Sequence, residues 1–160
     1  MHEKVFSIYD VVTIGEMSCG VSPYQAVEYV SKYKPRPELS LIIQFHHVEL
    51  DCYDGDKWLL REWELPELKR VVSEWQETMI HCGGWMTLWT ENHDQPRGIS
   101  RFTNSNPQFR ALCAKLLAMW LFTLQGTPLI YQGQELGMIN PGHFSEEMNK
   151  DIETTLFWKA

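Results

Sequence analysis

The sequence predicts an α/β fold in which short parallel strands alternate with helices, and three observations carry that prediction. Four apolar segments each end in polar residues, and segments with helical starts and faces separate them. The order strand, helix, strand, helix, strand, helix, strand implies parallel strands joined by right-handed crossovers. The stretch Trp89-Thr90-Glu91-Asn92-His93-Asp94-Gln95-Pro96-Arg97 puts an acid, an imidazole and a guanidinium at the end of an apolar segment. That is the strand end at which β/α barrels keep their chemistry.

The first predicted strand is the run Asp10-Val11-Val12-Thr13-Ile14, closed by Gly15-Glu16. Ser22-Pro23, an N-cap followed by proline at the first helical position, opens a helix to about Tyr33. Leu39 to Phe45 forms the second strand, closed by His46-His47. Leu65-Pro66 opens the next helix, whose Leu68, Val71, Val72, Trp75 and Met79 recur at the steps of one helical face, with Gly83 near its end. The third strand, Met86 to Trp89, follows Gly83-Gly84, and Pro96 makes the chain leave the sheet just after Asp94. A helix from about Pro107 to Gln125 is apolar almost all round and is therefore expected to be covered on more than one side. Gly126 ends it, and Thr127 to Tyr131, interrupted by Pro128, is the fourth strand, closed by Gln132-Gly133-Gln134-Glu135. Pro141 to Lys150 is a polar connection, and Asp151 to Ala160 begins a final helix or a linker.

Composition narrows the function. With 160 residues, 44% of them hydrophobic, the chain is long enough to bury a core. A net charge of −7 and the lack of any basic run argue against a nucleic-acid partner. Cys19, Cys52, Cys82 and Cys113 are widely spaced with no C-x-x-C pair, which argues against a zinc site or a redox couple and for reduced, mostly buried thiols. The run Leu116 to Leu124 falls well short of the roughly 20 apolar residues of a membrane span, and the start of the chain lacks the pattern of a secretory signal. Four strands do not close a barrel that typically takes about 250 residues, so the expected fold is a partial (β/α)8 barrel with its upstream strands missing.

Four strand-end motifs stand in a particular order: Ile14-Gly15-Glu16-Met17, Gln44-Phe45-His46-His47-Val48-Glu49-Leu50-Asp51, Glu91 to Arg97, and Tyr131-Gln132-Gly133-Gln134-Glu135-Leu136-Gly137-Met138. In this order the chain resembles the α-amylase superfamily of glycoside hydrolases, and within it the oligo-1,6-glucosidase and maltase-like α-glucosidase branch, as does the terminal Asp151-Ile152-Glu153-Thr154. The resemblance runs from about Val5 to the end of the chain. It implies that the four strands are the fifth to eighth of a (β/α)8 TIM barrel, with residues 1–140 the C-terminal half of a catalytic domain and 141–160 leading toward a missing C-terminal domain. Two positions depart from the pattern: His46 stands where many relatives have glutamate, and Gln134 turns a Gly-Glu-Glu-like loop into Gly-Gln-Glu.

The resemblance also implies a chemistry. Retaining glycosidases place two carboxyl groups about 5 to 5.5 Å apart, one as nucleophile and the other as acid and then base. Glu16 resembles the general acid, and its flanks Ile14 and Met17 are expected to desolvate it. Asp94 resembles the carboxylate that stabilises positive charge developing at the anomeric carbon, and His93 is expected to hydrogen-bond the same sugar ring. Arg97 either orients Asp94, binds a substrate hydroxyl or makes a structural salt bridge. His47, Glu49 and Asp51 lack a converging partner set, so no metal is expected, and no cofactor. Of the seven tryptophans, including Trp58, Trp63, Trp85 and Trp89, most are expected to pack rather than stack on sugars.

The nucleophilic aspartate of such enzymes belongs on the fourth strand, and nothing before Val11 carries that pattern. The expected function is therefore a fragment of a retaining α-glucosidase for maltose, isomaltose or short α-glucans, inactive alone and in need of the N-terminal half as a partner. The alternative is a non-catalytic accessory subunit or degenerate fragment that uses the fold for protein interaction. Retention of Glu16 and Asp94 favours the enzyme. The free thiols and the family branch point to the cytoplasm. The choice between α-1,4 and α-1,6 linkages is not written in these residues.

Overall fold

The computed structural model describes residues 3–17, 20–104, 106–142, 145–148 and 150–159. Cys19 lies outside them. The chain forms two compact units, one of residues 1–90 with 117–130 and one of residues 91–116 with 131–160.

In the first unit the strands are β1 (Ile14–Glu16), β2 (Leu41–Ile43), the hairpin strands β3 (Cys52–Tyr53) and β4 (Asp56–Leu60), β5 (Thr87–Leu88) and β6 (Thr127–Pro128). Helix α1 (Pro23–Val30) crosses from β1 to β2, and α2 (Leu65–Cys82) leads into β5. Pairing is parallel between β1 and β2, with Ile14 opposite Leu41 and Glu16 opposite Ile43, and parallel between β5 and β6, with Thr87 opposite Thr127. A parallel bridge between Ile42 and Met86 joins the two pairs. The four predicted strands therefore run side by side in chain order, β1-β2-β5-β6, as consecutive βα units require.

The first strand lies later than its β-branched run suggested. Only Thr13, whose carbonyl accepts from the Ser40 and Leu41 N–H groups, takes part in the ladder before Ile14, while the Met17 N–H donates to the Ile43 carbonyl at 2.9 Å. Register with β2 places Gly15 and Glu16 inside the strand rather than after it. Gly15 suits that place because a Cβ there would come within 2.4 Å of the Leu39 side chain. Val11 and Val12, left outside, are exposed.

Helix α1 begins with a complete capping box: the Ser22 hydroxyl accepts from the Gln25 N–H and the Gln25 side chain accepts from the Ser22 N–H. It stops at Val30 rather than near Tyr33, because Ser31 turns extended and its hydroxyl donates to the Cys82 carbonyl at 2.6 Å. Ala26, Val27 and Val30 of this helix, Val71, Trp75 and Met79 of α2, Ile42, Met86 and Leu88 of the strands, and Leu121 form one buried cluster. The α2 face is the one its spacing predicts, with Leu68 packed at the edge of the cluster.

Gly83 caps α2 in the left-handed region at φ 66, and the Gly84 N–H closes the last turn on the Met79 carbonyl at 2.8 Å. A Cβ at Gly83 would also lie 2.8 Å from the Tyr33 ring and 2.9 Å from the Lys32 side chain. Gly83→Ala is expected to cost about 1–3 kcal/mol. Urea denaturation of the two chains measures it, and an unchanged midpoint would show that the cap tolerates a side chain.

Helix α4 (Arg110–Thr123) does not meet its expectation. Leu121 is buried, but Leu112, Leu116, Met119 and Phe122 are each more than half exposed. Leu117 and Trp120 are half-buried beside Leu121, while the face that carries Leu112, Leu116, Met119 and Phe122 is open to solvent. The other helices are the short α3 (Gly98–Phe102) and α5 (Ile152–Lys159), both in the second unit. Asp151 caps α5, its carboxylate accepting from the Thr154 N–H at 2.7 Å, which resolves the choice between helix and linker in favour of a helix. No helix among the described residues is long and apolar enough to cross a membrane. Of the described cysteines, Cys52 is buried and Cys82 and Cys113 are half-buried, all as free thiols, so the mostly buried thiols expected from sequence are only partly so.

Candidate active site

In the first unit the predicted strand ends carry the predicted side chains. Glu16 closes β1 with its side chain exposed. Of the two flanking residues expected to desolvate it, Ile14 is 48% exposed, whereas Met17 is half-buried and packs against the core cluster. Beyond β2 the chain turns through Gln44 to Val48. There the Trp75 indole N–H donates to His46 Nδ1 at 3.2 Å, the Gln44 amide and His47 Nδ1 lie 2.9 Å apart, and the Trp89 indole N–H donates to the Gln44 carbonyl at 3.1 Å. His47 is 2% exposed with its ring edge-on to Trp89. Both histidines are thus tied into tryptophan packing, which accounts for His46 as a structural acceptor. Among the described residues no three His, Cys, Asp or Glu side chains converge as a metal site. Trp75 and Trp89 are buried, whereas Trp85 is 41% exposed and donates to the Thr127 hydroxyl.

The second unit holds the segment that follows β5. Asn92 makes an Asx turn, its side-chain carbonyl accepting from the Asp94 N–H at 2.8 Å, and the Gln95 N–H reaches back to the Asn92 carbonyl at 3.4 Å. At the tip of the turn His93 Nε2 lies 3.2 Å from an Asp94 carboxylate oxygen, with both side chains about 70% exposed. An imidazole paired with a carboxylate and open to solvent offers both donor and acceptor to a ligand hydroxyl.

Arg97 does not reach Asp94. It pairs with Glu91 at 2.8 Å, donates to the Gln132 carbonyl at 2.7 Å, and lies 4.8 Å over the Tyr131 ring. Its backbone N–H donates to Asn140. Of the roles left open from sequence, the structure shows the salt bridge. Glu91 is the participant that sequence reading passes over. Its side chain is 2% exposed, and its second oxygen accepts from the Gly98 N–H at 2.6 Å. The available signal is an acid directly after an apolar strand with an arginine six positions on, beyond a proline.

The loop from Tyr131 is built around two left-handed glycines, Gly133 at φ 85 and Gly137 at φ 66. Gln134 sits between them, and its side-chain carbonyl accepts from the Tyr131 N–H at 3.0 Å. A glutamate would offer the same acceptor, so this departure preserves the bond that shapes the loop.

Comparison with known proteins agrees with these motifs. The model of the alpha-amylase catalytic domain matches residues 1–158. The chain is 42% identical over 159 residues to an oligo-1,6-glucosidase of Parageobacillus thermoglucosidasius, covering 99% of this chain and 27% of that protein. It is 40% identical over 162 residues to the trehalose-6-phosphate hydrolase of Bacillus subtilis (strain 168), covering 100% of this chain and 28% of that protein. Among solved structures, a trehalose-6-phosphate hydrolase of Bacillus licheniformis superposes with a TM-score of 0.88 at 39% identity, over 99% of this chain and 28% of that one. The chain thus spans little more than a quarter of the length of the relatives it matches. Strand order, strand-end residues and these matches place it in one family: the chain belongs to the alpha-amylase family and carries part of its catalytic domain.

Proposed function

We propose that this chain is the C-terminal half, strands five to eight, of the catalytic barrel of a retaining α-glucosidase that removes terminal α-linked glucose from maltose, isomaltose or short α-glucans. In this reading Glu16 protonates the leaving glycosidic oxygen and then activates water, Asp94 stabilises the oxocarbenium-like transition state, and His93 binds the ring that Asp94 faces. The observation that supports it most is the parallel order β1-β2-β5-β6, with Glu16 closing the first of these strands and the Asp94 segment following the third. Arg97 serves the site through Glu91 rather than by touching sugar. Residues 141–160 lead toward a further domain, the protein works in the cytoplasm, and no metal or cofactor takes part. The nucleophile is supplied by an upstream half of the barrel, and the present chain alone forms no covalent glycosyl intermediate.

The test is hydrolysis of a chromogenic α-glucoside, maltose and isomaltose by this chain alone and by this chain mixed with an upstream half made from a close relative. Because a relative of comparable identity is a trehalose-6-phosphate hydrolase, trehalose 6-phosphate belongs in the same panel. Turnover of α-glucosides by the mixture only is the expected result. In that mixture Asp94→Asn is expected to lower kcat by about 10²–10³-fold with little change in KM. Turnover by neither sample would favour a role in protein interaction, and turnover of trehalose 6-phosphate alone would replace the substrate.

A further inference from the structure

A buried ion pair is by itself weak evidence of stability, because an apolar pair of similar size commonly serves as well. The pair between Glu91 and Arg97 does something an apolar pair does not. One carboxylate oxygen of Glu91 accepts from Arg97 at 2.8 Å and the other from the Gly98 N–H at 2.6 Å, so a single side chain ties residue 91 to residues 97 and 98. Everything from Asn92 to Pro96 is then a loop closed at its base. Inside it the Asx turn of Asn92 fixes the Asp94 backbone, and Gln95 accepts from Arg101 at 2.6 Å. What stands out from the closed loop is the exposed pair His93 and Asp94. Arg97 is itself held by the Gln132 carbonyl and the Tyr131 ring, which gives the base of the loop a second anchor.

We propose that Glu91 is a positioning residue: its buried carboxylate, shared between Arg97 and the Gly98 N–H, sets the conformation in which His93 and Asp94 are presented to a sugar. The catalytic consequence rests on the α-glucosidase reading, whereas the clamp itself does not. The chemistry calls for a carboxylate. Both partners of Glu91 are donors, and a glutamine has one acceptor and one donor end, so Glu91→Gln sets its NH2 group against either the guanidinium or the Gly98 N–H. An aspartate keeps the charge but is one methylene short of bridging both.

The experiment compares Glu91→Gln, Glu91→Asp and Arg97→Met in the full chain, reading the NMR shifts of the His93 ring at fixed pH and the hydrogen exchange of the Asp94 and Gln95 amides. Each variant is then mixed with the upstream half for kcat and KM. Glu91→Gln is expected to shift the His93 ring resonances, speed exchange at residues 94 and 95 while leaving core amides such as that of Ile42 unchanged, and lower kcat by about 100-fold with KM nearly constant. Glu91→Asp should fall between it and the parent. A lower melting temperature with His93 shifts and local exchange unchanged in the folded protein would make the pair merely structural and overturn the proposal, as would an unaltered kcat. If the parent mixture itself hydrolyses no glucoside, the α-glucosidase reading fails while the NMR and exchange data still decide for or against the clamp.

Discussion

Glu16→Gln, in the mixture of this chain with an upstream half, is expected to lower kcat/KM for maltose by about 10²–10⁴-fold. It should cost much less for a nitrophenyl α-glucoside. The difference follows from the work assigned to the proton. A sugar alkoxide is a poor leaving group and departs only if its oxygen is protonated as the bond breaks. A nitrophenolate carries its own charge and depends little on an acid. Glutamine has almost the shape of glutamate and leaves β1 and its pairing with Ile43 in place, so a folding defect is not expected to imitate the effect. The later step, in which the same residue acts as base toward water, slows for both substrates. A burst of nitrophenol followed by a slow steady state is therefore the expected trace for the variant. An equal loss on both substrates without a burst would remove Glu16 from the acid role and leave it a solvated edge-strand carboxylate.

The sequence discloses the order of the fold better than its boundaries. Four apolar runs mark four strands because residues that pack on a sheet differ in composition from those that cap helices or make turns. They do not mark register, which is set by the partner strand. Val11 and Val12 look like strand residues and lie outside the ladder, while Gly15 and Glu16, poor strand formers, lie within it. The β3–β4 hairpin is written in the sequence by its turn residues. Asp54 and Gly55 have φ 51 and 76, the left-handed pair of a tight turn, and Asp-Gly is its usual sequence. Helix α4 shows the opposite limit: an all-round apolar helix asks to be covered, but composition cannot say which surface covers it. At the candidate site His93 and Asp94 stand out because they are adjacent polar residues after a strand. Glu91 does not, because its partner lies six residues away across a loop that is neither helix nor strand, where no period tells which side chains meet.

Trp75→Ala is expected to destabilise the first unit by about 3–5 kcal/mol. Trp75 is 1% exposed in the cluster that joins α1, α2 and the strands, so truncation to alanine removes a large buried side chain from it. Domains of this size have only about 5–15 kcal/mol of stability, so the loss removes a large part of the margin. Urea denaturation followed by circular dichroism measures it. Trp75→Phe separates the two contributions, because a phenyl ring keeps much of the packing and forfeits the indole N–H that donates to His46 at 3.2 Å, a difference of about 1 kcal/mol. The consequence reaches the strand ends: His46 opens the turn beyond β2, and its ring is held edge-on to Trp75 with centroids 5.3 Å apart. Loosening Trp75 thus frees the turn that carries Gln44, the residue whose carbonyl accepts from Trp89 immediately before Thr90. A loss below about 1 kcal/mol for Trp75→Ala would mean that the cluster does not unfold as one cooperative unit, and the strand ends would then need another source of rigidity.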